Sequence, residues 1–286
     1  MDVTARIVKT LAQSTTLWQW GLNFDRTVKH RLGRQAPKVD PSILRDEGIL
    51  SAPAESLLDS EGVELLRQIE ADLQMRAQSP DVQAMIQQGD SGRGAKNFSI
   101  SLLKERQFDV ASPLIRLGVH PNLLSTVNAY MGMRSYLRDI VVWLNFPTQG
   151  PSRETQLWHR DGDDHLNVKV FIYLNDVTDL NGPFCFIPET HPTGRLKIKK
   201  KWGRVTDDEM VRLVPRERWK VYTGRKNTVI IADTCGFHRG LKPESGYRML
   251  LMFHYTSGKP WYPSTLVIRN PQGVPLSRDQ HDALYI

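Results

Sequence analysis

The sequence predicts a mainly β fold with a helical lead-in, and two observations lead to this expectation. Residues 1–134 carry apolar positions at helical spacing, whereas from about residue 135 short β-branched and aromatic runs are bounded by Gly, Pro, Asn or Asp. Many short strands after helices are typical of a β-sandwich or barrel with helices packed on one side. We therefore expect a single domain over 1–286, with the strands in 135–256 and a C-terminal tail over 257–286.

Two helices are predicted in the lead-in. In EGVELLRQIEADLQ, apolar residues recur at helical spacing from Val63 to Leu73, and Ser60 is a suitable N-cap. In HPNLLSTVNAYMG, the apolar residues share one face and Gly132 follows as a stop signal. A polar, glycine-rich break, QQGDSGRGAKN, separates these two helices. We expect the helices to cover an open face of the sheet.

The predicted strands are YLRDIVVWLNFP, NVKVFIYLNDV, GPFCFIP, RWKVYTG, NTVIIAD and YRMLLMFHYT. A long interruption at 192–218, dense in lysine and arginine, separates the third of these strands from the fourth. Its length favours a functional loop or lid over a simple connection.

The chain has a net charge of +7 and a pI of about 9.4. This excess favours anionic partners, namely nucleic acid, lipid head groups or a phosphorylated small molecule, although a basic surface without a partner has the same composition.

No apolar run is long enough to span a bilayer or to form the centre of a signal peptide. Cys185 and Cys235 lie in apolar stretches, which is typical of reduced thiols. We therefore expect a cytoplasmic protein. Its basic, loosely amphipathic segment 6–34 is either a packed helix or a peripheral contact with an anionic membrane surface.

The motif QLWHRDGDD places His159 and Asp161 two residues apart, and His238 follows later in ADTCGFHRG. Residues i and i+2 of a strand point to the same face, so this imidazole and carboxylate could share one metal ion. Two histidines and one carboxylate leave three coordination positions open, as in non-haem iron(II) oxygenases, whereas structural zinc is closed by four protein ligands. A His-x-Asp pair alone also occurs as a hydrogen-bonded surface pair.

Arg248 lies ten residues after His238, on the last predicted strand. A guanidinium offers two parallel donors to a carboxylate, so Arg248 could hold the distal carboxylate of a keto acid. His165, His191 and His254 are interpreted as hydrogen-bonded structural histidines.

The segments WHRDGDD, YLNDVTDLNGPFCFIPETHPTG, IIADTCGFHRG and YRMLLMFHY resemble the phytanoyl-CoA dioxygenase family of iron(II)- and 2-oxoglutarate-dependent enzymes. The resemblance covers roughly residues 40–256 and implies a double-stranded β-helix core, also called a jelly roll or cupin-like fold. It implies that iron is bound by His159, Asp161 and His238, and that Arg248 binds 2-oxoglutarate.

This chain departs from the family pattern at two places. PETH stands where the family often has PGSH, and Gly240 stands where some relatives place a hydroxyl group near the keto acid. Asn145 and Gln156, on or just after the strand that precedes the metal motif, are therefore further candidates for polar contacts with the cofactor.

The resemblance implies a hydroxylase that uses O2 and converts 2-oxoglutarate to succinate while oxidising an unactivated C–H bond. Because Asp161 is present, hydroxylation is favoured over halogenation, which needs that position vacated. The basic insertion favours a small anionic substrate linked to CoA, phosphate or lipid. The alternatives are a non-catalytic jelly-roll ligand-binding protein that retains the metal site, and a zinc hydrolase. The sequence contains no recognised nucleic-acid-binding motif.

Overall fold

The computed structural model describes residues 40–88, 98–199, 203–257 and 265–285. The N-terminal segment 6–34 and nearly all of the predicted break QQGDSGRGAKN lie outside these ranges.

The larger sheet has six strands in the order β1-β8-β5-β10-β4-β2, and all neighbouring strands are antiparallel. Its central strands are the long apolar runs that the sequence predicts as strands. The six strands are β1 (Ile49–Pro53), β2 (Ser99–Ser101), β4 (Tyr136–Asn145), β5 (Asn167–Tyr173), β8 (Thr228–Asp233) and β10 (Arg248–Thr256).

A smaller sheet of three short strands faces the larger sheet. Its order is β7-β6-β9, with β6 (Phe184–Phe186), β7 (Lys220–Tyr222) and β9 (His238–Gly240). Phe184 and Phe186 pack against Phe171 and Tyr173 of the larger sheet, which forms an apolar layer between the two sheets. Two facing antiparallel sheets with helices on one side confirm the predicted mainly β, jelly-roll architecture.

Helices cover the other side of the larger sheet. They are α1 (Ser42–Glu47), α2 (Ala54–Leu57), α3 (Ser60–Ala77), α4 (Pro80–Gln87), α5 (Pro113–Gly118), α6 (Pro121–Met131) and α8 (Arg278–Leu284). The short helix α7 (Asp207–Met210) instead packs beside Trp158 and Cys185, next to the smaller sheet. The two predicted helices are α3 and α6, and Gly132 ends α6 at φ 69° as expected. The N-cap of α3 is Asp59 rather than Ser60, because the Asp59 carboxylate accepts a hydrogen bond from the Gly62 N–H at 3.0 Å.

Along each strand of the larger sheet, side chains alternate between the two faces of the sheet. The outer face packs into the main core with the helices, whereas the inner face points toward the smaller sheet. On the three central strands, the inner face consists of Asp139, Val141, Trp143 and Asn145 of β4, Lys169, Phe171 and Tyr173 of β5, and Arg248, Leu250, Met252 and His254 of β10.

Three segments contain structure that the sequence analysis did not predict. The helical lead-in contains β1, an edge strand that forms because β8 supplies its hydrogen-bond partners. The expected tail contains α8 and β11 (Val267–Arg269), which pairs in parallel with β3 (Gln107–Asp109). The described part of the insertion includes α7, and its Met210 and Val214 are buried beside Trp158, so it packs on the protein rather than projecting as a free lid.

Candidate metal centre

His159 and His238 lie directly opposite each other in an antiparallel pair. The backbone N–H of each residue donates to the carbonyl of the other at 3.0 Å. Residues paired in this way direct their side chains to the same face, and the two imidazole centroids are 4.2 Å apart. The backbone therefore brings the two predicted histidines together without any side-chain contribution.

Each imidazole is also fixed in orientation. His159 Nδ1 donates to the Leu157 carbonyl at 2.8 Å, and His238 Nδ1 donates to the Gly236 carbonyl at 3.0 Å. With Nδ1 carrying the proton, Nε2 of the neutral ring has its lone pair free for a metal. Burial lowers the pKa of both histidines, strongly for His159, and keeps them in this neutral form.

Asp161 completes the group. His159, Asp161 and His238 each offer one ligand atom, and these atoms all lie within 4.8 Å of one another. Asp161 lies just after the β-bridge residue His159, in backbone that is not part of a strand. The rule that residues i and i+2 of a strand share one face therefore describes the relative positions of these two side chains only approximately. Its backbone N–H donates to the Thr234 carbonyl at 2.8 Å, which ties it to the chain just before His238.

Within the described ranges, Lys169 forms an ion pair with this group. Its Nζ lies 2.7 Å from Asp161 Oδ2, and the same oxygen is 3.5 Å from His238 Nε2. Burial alone would raise the pKa of Asp161, but the charge and hydrogen bond of Lys169 hold it well below its usual range. Asp161 is therefore an anionic carboxylate. Two neutral imidazoles and a carboxylate are a donor set that fits Fe2+.

Arg204, from the basic insertion, also reaches this region. Its charge contributes to lowering the pKa of both His159 and His238, and its guanidinium pairs with Glu154 at 3.3 Å. The insertion thus adds a positive charge close to the metal-binding group.

Arg248 is the first residue of β10 and is buried on the inner face. Its Nε and Nη2 donate to Asn145 Oδ1 at 3.3 and 3.0 Å, and its Nη1 donates to the Gly182 carbonyl. Within the described residues, all these partners are neutral, and burial lowers the pKa of Arg248 without a compensating carboxylate. A buried guanidinium with only neutral partners fits an anionic ligand.

Gly240 explains how the Arg248 side chain fits. A Cβ atom at residue 240 would lie 2.7 Å from Arg248 Nη2, so a larger residue there would collide with the guanidinium. Gly240 therefore leaves space for the Arg248 guanidinium beside β9.

The remaining candidates are placed as follows. Asn145 contacts Arg248 through the cross-strand pair of β4 and β10. Gln156 is buried on a one-turn 3-10 helix, and within the described part of the chain its Nε2 has no hydrogen-bond partner. His191 donates to the Arg45 carbonyl at 2.9 Å, and His254 Nε2 lies 2.9 Å from Asn167 Oδ1, as expected for structural histidines.

Lys169 and Arg204 are the residues near this group that sequence reasoning missed. Lysine in a strand usually faces solvent, and only the alternation with Phe171 and Tyr173 in NVKVFIY places it on the inner face. No sequence signal distinguishes Arg204 from the other basic residues of the insertion.

The two facing sheets and the His159–Asp161–His238 group define a jelly-roll protein with two histidines and one carboxylate at a candidate metal centre. The family model for phytanoyl-CoA dioxygenase matches residues 46–222, which is more than half of the chain. The chain therefore belongs to the phytanoyl-CoA dioxygenase family and is an oxidoreductase. The match ends before His238 and Arg248, so these two residues are assigned from geometry and motif alone.

Solved structures support the same fold. EctD from S. alaskensis with bound Fe is 18% identical with a TM-score of 0.53, and the alignment covers 86% of this chain and 88% of EctD. EctD with 2-oxoglutarate and 5-hydroxyectoine gives the same identity and TM-score over 78% of each chain. SnoK, a non-heme alpha ketoglutarate dependent carbocyclase from nogalamycin biosynthesis, is 15% identical with a TM-score of 0.53, and the alignment covers 86% of this chain and 94% of SnoK.

No curated protein matches the chain. Among the helices in the described residues, none combines the length and apolar character that a membrane span requires.

Proposed function

We propose that this protein is an iron(II)- and 2-oxoglutarate-dependent hydroxylase that binds Fe2+ through His159, Asp161 and His238. The observation that carries the proposal is the convergence of these three ligand atoms, with both histidines held as neutral Nε2 donors. Three protein ligands leave positions open for a chelating keto acid and for O2.

Arg248 is the proposed partner of the distal carboxylate of 2-oxoglutarate. Its guanidinium is buried among neutral groups, and Asn145 orients it through Oδ1. A dianionic keto acid would supply the missing negative charge, so its binding compensates the cost of burying Arg248. Gln156, with its unpartnered Nε2, is a further candidate for a polar contact.

Bound iron and 2-oxoglutarate would supply the oxidising chemistry, in which 2-oxoglutarate, O2 and a substrate C–H bond give succinate, CO2 and a hydroxylated product, with one oxygen atom of O2 in succinate and the other in the product. The chain's own contribution is to fix the ligands, bind the keto acid and exclude water. Phe184 serves the last task, because its ring lies 5.7 Å from the His238 ring and contacts Phe171 on the inner face.

The proposed substrate is a small anionic molecule linked to CoA, phosphate or lipid. Arg204 adds positive charge near the metal centre, and Lys199, Arg195 and Arg218 of the insertion are exposed. Arg195 and Arg218 both pair with Glu189, so these three side chains together carry one net positive charge. Positive charge on the insertion would raise the local concentration of an anionic substrate. A cytoplasmic location and a peripheral contact with anionic membrane remain predictions that accompany this assignment.

The direct test is anaerobic addition of Fe2+ and then 2-oxoglutarate to the metal-free protein, followed by visible spectroscopy. We expect the weak charge-transfer band of the chelated keto acid in the wild type and its loss in His159→Ala. In Arg248→Ala, the band should require far more keto acid.

Absence of the band in folded, iron-loaded wild-type protein would contradict the proposal. It would favour the alternative of a jelly-roll protein that keeps the metal-binding group but binds a ligand without oxidising it.

The anionic substrate is tested with the charge reversals Lys199→Glu and Arg204→Glu, assayed against acyl-CoA and phosphorylated compounds. Both variants should raise KM for the accepted substrate. Turnover of 2-oxoglutarate in the absence of substrate should be unchanged in Lys199→Glu, whereas Arg204 also acts on the two ligand histidines. Unaltered substrate kinetics in both variants would remove the insertion from substrate recognition.

A further inference from the structure

The two proposed histidine ligands have matching neighbours in the sequence. Each stands between an aromatic residue and an arginine, in WHR over residues 158–160 and in FHR over residues 237–239. His159 and His238 are directly opposite in an antiparallel pair, so the residue before one histidine lies opposite the residue after the other. Each aromatic residue therefore faces an arginine across the pair, on the face turned away from the imidazoles.

Both of these cross-strand contacts are present. The guanidinium carbon of Arg239 lies 4.4 Å from the centroid of the Trp158 ring, and that of Arg160 lies 4.1 Å from the centroid of the Phe237 ring. A cation over an aromatic face is attracted by the ring, and more strongly where water is excluded. Trp158 and Phe237 are buried in one apolar cluster, so both contacts are shielded. Each segment supplies one ring and one cation, which makes the two contacts reciprocal.

The backbone pair between these contacts is short. His159 lies outside the strands and is joined to the three-residue strand β9 by a single bridge of two hydrogen bonds. The adjacent bridge, between Trp158 and Val205, joins the same segment to the insertion rather than to β9. Side-chain pairs across neighbouring strands stabilise their pairing. The two arginine–aromatic contacts therefore supply what a longer ladder would otherwise provide.

Each arginine is also bonded to the insertion. Arg160 Nη1 donates to the Ile198 carbonyl at 3.4 Å, and Arg239 pairs with Asp207 through both Nη atoms. The Trp158 indole N–H donates to the same Asp207 carboxylate at 3.0 Å. These bonds hold each guanidinium in place over its ring, so the packing of the insertion and the pairing of the histidines depend on the same two side chains.

We infer that Arg160 and Arg239 are positioning residues that keep His159 paired with His238 before a metal ion binds. This inference rests on the proposed function, because it treats the two histidines as metal ligands. The arginines act from the opposite face of the pair and do not contact the ion. Loss of either contact releases one side of the bridge. The bridge then opens more often, and the two imidazoles lose their common orientation.

The test measures amide hydrogen exchange by NMR, residue by residue, in the metal-free full-length protein. The amides of His159 and His238 report the bridge directly, because each donates to the carbonyl of the other residue. The amide of Leu251, on the central strand β10, reports opening of the larger sheet. The variants that remove the contacts are Arg160→Met, Arg239→Met and Phe237→Leu.

Arg216→Met is the matched control. The Arg216 guanidinium lies 4.8 Å from the centroid of the Trp219 ring and pairs with Asp207 at 3.7 Å. It therefore makes the same two kinds of contact as Arg239, but it is not next to a histidine ligand. Exchange at both histidines should match the wild type in this control.

In each of the three contact variants, exchange protection at His159 and His238 should fall about tenfold, as expected for the loss of one shielded cation–π contact. Protection at Leu251 should not change. Arg160→Lys keeps a positive charge over the ring and should retain part of the protection. Saturating Co2+, used as the probe metal, should return protection toward the wild-type value, because it binds only the paired histidines.

Unchanged exchange at both histidines in Arg160→Met and Arg239→Met would overturn the inference. An equal loss of protection at Leu251 would overturn it in favour of a general structural role. Where a methionine variant does not fold, Phe237→Leu decides by the same criteria. If Co2+ leaves exchange in the wild type unchanged, the proposed metal site fails, whereas the metal-free rates still decide the role of the two arginines.

Discussion

Leu251 and Met252 are neighbours on β10, but their side chains lie on opposite faces of the larger sheet. Leu251 is completely buried in the core beneath the helices, whereas Met252 is half-buried on the inner face and only packs at the edge of the layer between the sheets. The same alternation runs along β4, where Val142 is buried and Val141 and Trp143 are half-buried. The outer face therefore carries most of the stabilising burial, and the inner face retains accessible surface for ligands.

The largest expected effect is on the outer face. Leu251→Ala should lower the free energy of unfolding by about 3 kcal/mol, since it removes a fully buried side chain and leaves a cavity. Urea denaturation measures the change. A loss below about 1 kcal/mol would contradict the assignment of the core to this face.

On the inner face, the largest expected effect is on ligand binding rather than on folding. Arg248→Met should weaken 2-oxoglutarate binding on the order of 100-fold, because the keto acid loses its charged partner. Calorimetric titration of the Mn2+-loaded protein measures this change. Mn2+ affinity should stay unchanged, and a parallel loss of metal binding would show that the substitution disturbs the metal centre as well.

A smaller effect on 2-oxoglutarate binding is expected for Asn145, which contacts Arg248. Asn145→Ala removes the oxygen that accepts two N–H groups from Arg248, so 2-oxoglutarate affinity should fall about tenfold, which corresponds to a lost hydrogen bond to a charged group. In an Arg248→Met background, the same substitution should add little. Additive losses in the double variant would mean that Asn145 acts independently of Arg248.

The smallest effect is expected on the free energy of unfolding when Met252, the neighbour of Leu251 on β10, is truncated. Met252→Ala should lower the free energy of unfolding by about 1 kcal/mol or less, because only part of this side chain leaves water on folding. The pair of alanine variants, denatured under identical conditions, isolates the difference between the two faces. Equal losses of unfolding free energy in Leu251→Ala and Met252→Ala would contradict the difference in burial between the two faces of the sheet.

Sequence reasoning succeeded where a local pattern decides the structure. The runs that form β4, β5 and β10 are long and apolar, and Gly132 ends α6 at a position that requires positive φ. The order of His159, Asp161, His238 and Arg248 in the sequence predicts the site, and the first three of these residues lie together as a potential metal-binding group.

The features that sequence reasoning missed depend on contacts between distant segments. β1 exists because β8 pairs with it, and the predicted tail is structured because β11 pairs with β3. Lys169 has the side chain of a surface residue, and only the register with Ala232 and His254 places its ammonium beside Asp161. Such pairings have no local signature in a single sequence.

The mutual backbone hydrogen bonds of His159 and His238 link the metal centre to the assembly of the fold. The two donors are far apart in the chain and become neighbours only when their segments pair, so an unfolded chain lacks the chelating arrangement. A metal ion that binds only the folded chain stabilises it by about 2.7 kcal/mol at 100 times its Kd. If the proposed metal ion binds here, it would stabilise the pairing of His159 with β9 in the folded chain, and a chelator that removes it would lower the free energy of unfolding.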